Sequence, residues 1–219
     1  MPKIDLHVHA QERSHCAHAG EESVIQAAID YGLDGLVFTD HHRFVPPERL
    51  DELNRIYQPF GVFGGIEISL VEKEDVLVYG VRDPALEERG WDYVRLYDFV
   101  RQRGGFLIHA HPFRYRDPIG FPINRFPPDG IECHSLHVGL ENSERVTEIA
   151  ERLGLLQVCT SDAHRAEHVG IYYAEMERMP RDEDDLVEML RAGACECGSM
   201  PERIAAINRG RAILNKPPV

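Results

Sequence analysis

Ile4-Asp5-Leu6-His7-Val8-His9 is a short apolar segment in which every second residue is polar. In a β-strand, residues two apart point to one face. Asp5, His7 and His9 therefore project together, while Leu6 and Val8 pack on the other side. Two imidazoles at that spacing can chelate one cation, and Asp5 can orient a ring from behind. A polar strand edge is the plain alternative, but three polar groups on one face of a buried strand need partners. Similar clusters recur along the chain. Asp40-His41-His42 ends a second apolar run, and Glu67 lies between Ile66 and Ile68. His109-Ala110-His111-Pro112 closes another run, Glu132-Cys133-His134 with His137 follows, and Asp162-Ala163-His164 ends the last strong one. All 12 histidines fall between His7 and His168, so the imidazoles gather where these strand ends are.

Working outward, strands are expected at Ile4–Val8, Asp34–Thr39, Phe106–His109, Gly130–Cys133 and Leu156–Thr160, and the β-rich runs Val62–Leu70 and Val76–Val81 are expected to form a hairpin or successive strands. Helical spacing of apolar residues predicts helices over Glu21–Tyr31, Pro46–Tyr57, Trp91–Arg103 and Ser143–Leu153, with shorter ones near Asp184–Ala192 and Glu202–Leu214. Alternation of this kind favours parallel strands covered by helices. Each polar cluster lies at the C-terminal end of a strand, where α/β barrels gather their catalytic residues. A closed or nearly closed barrel would bring six such ends together, and an open sheet would spread them along a line. Segment Gly120–Asp129 contains three prolines and is expected to be a loop over the site. There is no repeat or linker, so a single domain over 1–219 is expected, with metal-type motifs in 5–164 and C-terminal helices in 182–214.

A hydrophobic content of 43% with 28% charged residues fits an ordinary globular chain and excludes a disordered one. The net charge of −13 argues against a nucleic-acid partner. No apolar run approaches the roughly 20 residues of a membrane span, and the N-terminal residues lack a signal-peptide pattern. A cytoplasmic protein without a membrane partner is expected, its oligomeric state left open. Five scattered cysteines read as reduced thiols, and Cys195-Glu196-Cys197, lacking a second pair, reads as structural or incidental.

Together these residues resemble the PHP family, the polymerase and histidinol phosphatase domain. The matching motifs are His7-Val8-His9, Thr39-Asp40-His41, Gly65-Ile66-Glu67, Ala110-His111-Pro112 and Ser161-Asp162-Ala163-His164, in family order. The resemblance implies an α/β fold, a distorted (βα)7 barrel, with two or three divalent metal ions (Zn, Mn or Fe) at the strand C-termini. By motif, His7, His9, Glu67 and Asp162 would hold one metal. Glu67 would bridge to a second that also uses His111, and His15, His41 and His164 would hold a third. One more ligand would follow the Ile131-Glu132 strand, where His134 and His137 both qualify. His18, His42, His109 and His168 match no ligand position.

The chemistry this implies is phosphoester hydrolysis of a small phosphomonoester or nucleotide. Two cations roughly 3.5–4 Å apart would share a bridging hydroxide as nucleophile. Glu67 and Asp162 are the expected catalytic carboxylates and Arg114 the phosphate clamp, with Arg43 and Arg165 next in line. A surface ion pair is the plain alternative for each arginine. Two other readings stay open: a metal-dependent hydrolase of an amide or lactone, and a non-catalytic metal-binding regulatory module. Loss of ligand motifs would favour the last, and none is lost.

Overall fold

The computed structural model describes residues 1–214 and 216–219. In chain order the first half contains β1 (Lys3–Val8), α1 (Glu21–Asp30), β2 (Gly35–Phe38), α2 (Pro47–Tyr57), β3 (Gly61–Gly64), β4 (Ile66–Ser69) and β5 (Asp75–Tyr79). The second half contains α3 (Tyr93–Gln102), β6 (Phe106–Ala110), β7 (Gly130–His134), α4 (Leu140–Leu153), β8 (Leu156–Cys159), β9 (Tyr172–Met176), α5 (Glu183–Arg191), β10 (Cys195–Ser199) and α6 (Pro201–Ile213).

The helices begin and end where local chemistry dictates. Pro47 occupies the first turn of α2, where a missing N–H costs nothing. Asp92 caps α3 by accepting from the Arg95 amide at 2.9 Å. Gly154 closes α4 in the left-handed conformation, at φ 67°. Tyr93, Leu96 and Val100 of α3 are fully buried against the second sheet, each contributing about 1.5–3 kcal/mol of transfer free energy.

The strands form two five-stranded sheets, ordered β10-β9-β1-β2-β3 and β4-β5-β6-β7-β8. The units β1-β2-β3 and β6-β7-β8 are parallel, as the alternating pattern predicts. The remaining pairings, β1-β9, β9-β10, β4-β5 and β5-β6, are antiparallel. The fold is therefore mixed α/β, and no closed (βα)7 barrel forms among the described residues. Instead, two single-residue bridges stitch the sheets together, Val8 to Ala163 and His41 to Glu67. Both seams involve motif residues, so the strand ends converge without full closure.

Two departures from the sequence reading have local causes. The apolar run Val62–Leu70 is not one strand. Gly65 splits it, and β3 and β4 belong to different sheets. A Cβ at Gly65 would stand 2.9 Å from a Tyr79 ring carbon and 3.1 Å from the Thr39 methyl, so the crossing needs glycine. Strands β9 and β10 were not anticipated. β10 is partly exposed and lacks an apolar alternation, so periodicity gives it no signal.

β10 also corrects the cysteine reading. It lies beside β8, and Cys159 and Cys197 form a disulfide rather than remaining reduced thiols. Cys16, Cys133 and Cys195 are free. Segment Gly120–Asp129 is a loop, but it packs on α3: Phe121 stacks on Tyr93 with centroids 3.7 Å apart, and the Tyr93 hydroxyl donates to the Phe126 carbonyl.

Candidate metal centre

Glu67, on β4, is fully buried and lies among four imidazoles. Its Oε1 accepts from His111 Nε2 at 3.0 Å. Its Oε2 lies 3.1 Å from His41 Nδ1, 3.2 Å from His9 Nε2 and 3.4 Å from His7 Nε2. Asp162, just past β8, is a second hub. Its Oδ1 is 3.3 Å from His9 Nε2, 3.4 Å from His7 Nε2 and 3.4 Å from His164 Nδ1. Its Oδ2 bonds His137 Nδ1 and accepts from Arg114 at 3.2 Å. These contacts define three overlapping ligand groups: His7, His9 and Asp162; His7, Glu67 and His111; His9, His41 and His164.

The donor set fits divalent cations. Glu67 Oε2 and Asp162 Oδ1 are buried and have no hydrogen-bond partner among the described residues. Such orphaned carboxylate oxygens are costly in a dry interior. The Nε2 atoms of His7 and His9 lie 3.0 Å apart, and one proton can satisfy only one of them. A cation among these atoms would relieve both problems, and mixed imidazole and carboxylate ligands suit Zn, Mn or Fe. Backbone conformation points the same way. His111 (φ 28°) and Asp162 (φ 48°) adopt positive φ without being glycine, a strain that persists where surroundings enforce it.

The charges are mutually dependent. Burial alone would raise Glu67, but His41, His7 and the bond from His111 hold its carboxyl well below the usual range. Burial would likewise raise Asp162, and His7 and His137 outweigh it. Burial opposes the charge on His7, yet Asp162, Glu132 and Glu67 push it well above the ordinary imidazole value. His164 is pushed down to about 3, first by burial and then by repulsion from His9. The carboxylates are thus ionised and ready to bind cations.

Glu132 has a role that the strand pattern alone does not reveal. Its Oε1 accepts from His7 Nδ1 at 2.7 Å and from the Thr160 hydroxyl at 2.6 Å, and its Oε2 accepts from the His111 amide at 2.7 Å. It turns His7 Nε2 toward the centre. Asp5 was expected to orient a ring, and it does not. Its carboxylate accepts from the Ser161 amide and hydroxyl and from the Gly170 amide, tying β1 to the segment after β8. Glu132→Gln should lower metal affinity by roughly 10–100-fold, as loss of a carboxylate behind a ligating histidine does. A metal titration that gives wild-type affinity would remove Glu132 from this role.

Other expected residues fall into place unevenly. His15 is exposed and joins none of the three groups; His9 stands there instead. His134 stacks on Tyr172 with centroids 5.5 Å apart and lines a separate cleft beside Cys159 and Cys197. Of the two histidines after Glu132, His137 is the one that reaches the centre. His134 is the last residue of β7, whereas His137 lies in the turn beyond it. Asp40 accepts from Ala10 N, Ser14 Oγ and Arg13 Nε, and so fixes the loop after β1. Asp75, buried at 3.8 Å from His111 Nε2, was not anticipated; its only trace is a carboxylate opening the apolar run Val76–Tyr79.

Arg114 lines a cleft of about 400 Å³ that opens onto His137, Asp162 and His164. Arg165 lines it too, whereas Arg43 is exposed and pairs with Glu87 at 3.3 Å. A larger cleft of about 590 Å³ lies between α2, β3 and Met179–Glu183, away from every ligand group.

A family profile described as PHP-associated matches residues 141–195. No curated protein matches the chain. The crystal structure of PsfC from Pseudomonas syringae PB-5123 superposes with a TM-score of 0.72 at 22% identity, over 97% of this chain and 98% of that one. A putative metal-dependent phosphoesterase from Bifidobacterium adolescentis superposes at 0.64 and 14% identity, over 85% and 95%. The lesion-specific endonuclease PfuEndoQ from Pyrococcus furiosus superposes at 0.64 and 13% identity, over 90% of this chain but 57% of its own. The profile match is confined to residues 141–195, and the superpositions show a fold shared with these proteins over most of the chain.

Proposed function

We propose that this chain is a single-domain, metal-dependent phosphoesterase acting on a small phosphorylated substrate. The observation that carries the reading is the orphaned, buried Oε2 of Glu67 among His7, His9 and His41, beside a cleft that holds Arg114. In this reading His7, His9, His41, Glu67, His111, Asp162 and His164 would hold two or three divalent ions, with His137 bonded to Asp162 at their edge. Bound divalent ions would acidify water and neutralise charge on phosphoryl oxygens.

The protein's own part is positioning. Glu67 and Asp162 keep ligand imidazoles at fixed separations, and Glu132 sets the orientation of His7. Arg114 offers a planar fork that can grip two phosphoryl oxygens at once. Hydrolysis then forms a bond from water oxygen to phosphorus, breaks the ester bond, and leaves a proton on the departing oxygen. The similarity to phosphoesterase structures supports this class, and a cleft of this size favours a small substrate.

The expectation that nucleic acid plays no part does not stand on charge alone. A structural relative is a lesion-specific endonuclease. A net charge of −13 sums the whole surface, while the cleft itself gathers Arg114, Arg165, Arg211 and Lys216. Among the described residues, no helix is long and apolar enough to cross a membrane.

Elemental analysis of protein purified without chelators should find two or three transition-metal ions per chain. Chelation should abolish turnover of phosphomonoesters, and re-addition of Zn, Mn or Fe should restore it. A metal-free sample with full activity would sink the proposal.

A further inference from the structure

The cleft beside the metal-type centre is lined by two sets of groups. Arg114, Asp162 and His164 form the inner wall. Arg165, Arg211 and Lys216 supply cations to the rest of it. Arg211 belongs to α6 and Lys216 to the segment after it, both beyond every motif read in the sequence. Arg211 is half-buried, and its Nε donates to the Pro217 carbonyl at 2.6 Å, with a longer contact of 3.4 Å to the Leu136 carbonyl. Backbone oxygens therefore hold the guanidinium in place without neutralising it.

Elsewhere in this acidic chain several arginines that shape the fold are paired with carboxylates, while Arg203, which does not line the cleft, is held by backbone carbonyls and stacks on Tyr31. Arg13 meets Glu21 and Asp40, Arg49 meets Glu21, Glu22 and Glu52, and Arg178 and Arg181 meet Asp185. Among the described residues, Arg211 and Lys216 form no ion pair, and Arg165 has only Glu167 at 3.6 Å. A half-buried cation without a carboxylate is a cost that an anionic ligand would offset.

We propose that Arg211 and Lys216, with Arg165, form a binding subsite for a second anionic group, so that the substrate is a small phosphoester bearing a carboxylate or a further phosphate. This rests on the phosphoesterase reading for the first phosphate, which the inner wall would receive. The C-terminal helix then sets specificity rather than merely closing the fold.

The test compares phenyl phosphate, 4-carboxyphenyl phosphate and benzene-1,4-bisphosphate on metal-loaded wild-type, Arg211→Ala and Lys216→Gln proteins. Both kcat/KM and calorimetric binding are measured. Wild-type protein should favour one or both compounds that bear a second anionic group over phenyl phosphate by roughly 10–100-fold, the range for a charge-assisted contact. The favoured compound tells carboxylate from phosphate. In either variant the ratio should collapse toward one, with metal content unchanged. Lys216→Gln guards against a folding artefact, because among the described residues the exposed Lys216 ammonium makes no hydrogen bond. Turnover of all three compounds without preference would overturn the subsite and leave the hydrolytic reading intact. Preferential binding lost in the variants, with no turnover of any compound, would uphold the subsite and overturn the hydrolytic reading. Equal binding of all three compounds by wild-type protein would overturn the subsite whatever the turnover.

Discussion

Glu67→Gln should remove at least ~100-fold of turnover, exceeding the roughly 10–100-fold typical of groups behind the ligands. The reason is geometric. One carboxylate oxygen bonds His111 and the other faces His41, His9 and His7, all within 3.4 Å. An amide keeps the shape but loses the charge, and its nitrogen would point an N–H at imidazoles or at a cation. Ligands that bind only the folded state raise its stability with concentration, so the wild-type melting temperature should rise on adding metal. In the variant that rise should shrink, while the metal-free melting temperature stays near that of the wild type. Turnover at saturating metal, elemental analysis and thermal unfolding with and without metal check all three points. Near wild-type turnover would take Glu67 out of the centre.

Arg114→Ala should lower kcat/KM on the best phosphoester by roughly 10–1000-fold, about 1.5–4 kcal/mol for one strong charge-assisted contact. Arg114→Lys should recover only part of it, since an ammonium supplies charge without the fork. The 3.2 Å contact between Arg114 and Asp162 Oδ2 offers another route to the same loss, through a displaced ligand. Metal content separates the two. If it is unchanged in Arg114→Ala, the arginine acts on the substrate; if it falls with activity, Arg114 positions Asp162. An intact kcat/KM would pass the clamp to Arg165, because Arg43 is tied to Glu87 on the exposed surface.

Much of the centre was legible from local chemistry. His7 and His9 share a strand face because the side-chain period of a strand is two, and that rule needs no tertiary information. Buried Glu67 between two isoleucines announced a partner, because an isolated carboxylate in an apolar run is costly. The β-α alternation around residues 3–64 and 106–159 likewise follows from periodicity alone, and both parallel units formed.

The sequence by itself therefore determined which residue types gather at strand ends and that the β-α units carry parallel strands. Only the tertiary structure decided how those ends meet. Gly65 sends β3 and β4 into different sheets, and the seams Val8–Ala163 and His41–Glu67 replace barrel closure. Asp5 and Glu132 are both buried strand carboxylates, yet only Glu132 reaches a ligand ring, because the outcome depends on which neighbouring strand supplies competing donors. His134 ends β7 and stacks on Tyr172, while the turn after it brings His137 to Asp162. β10 brings Cys197 to Cys159, and α6 carries Arg211 to the cleft. These choices depend on contacts between residues far apart in the chain, and local periodicity carries no information about them.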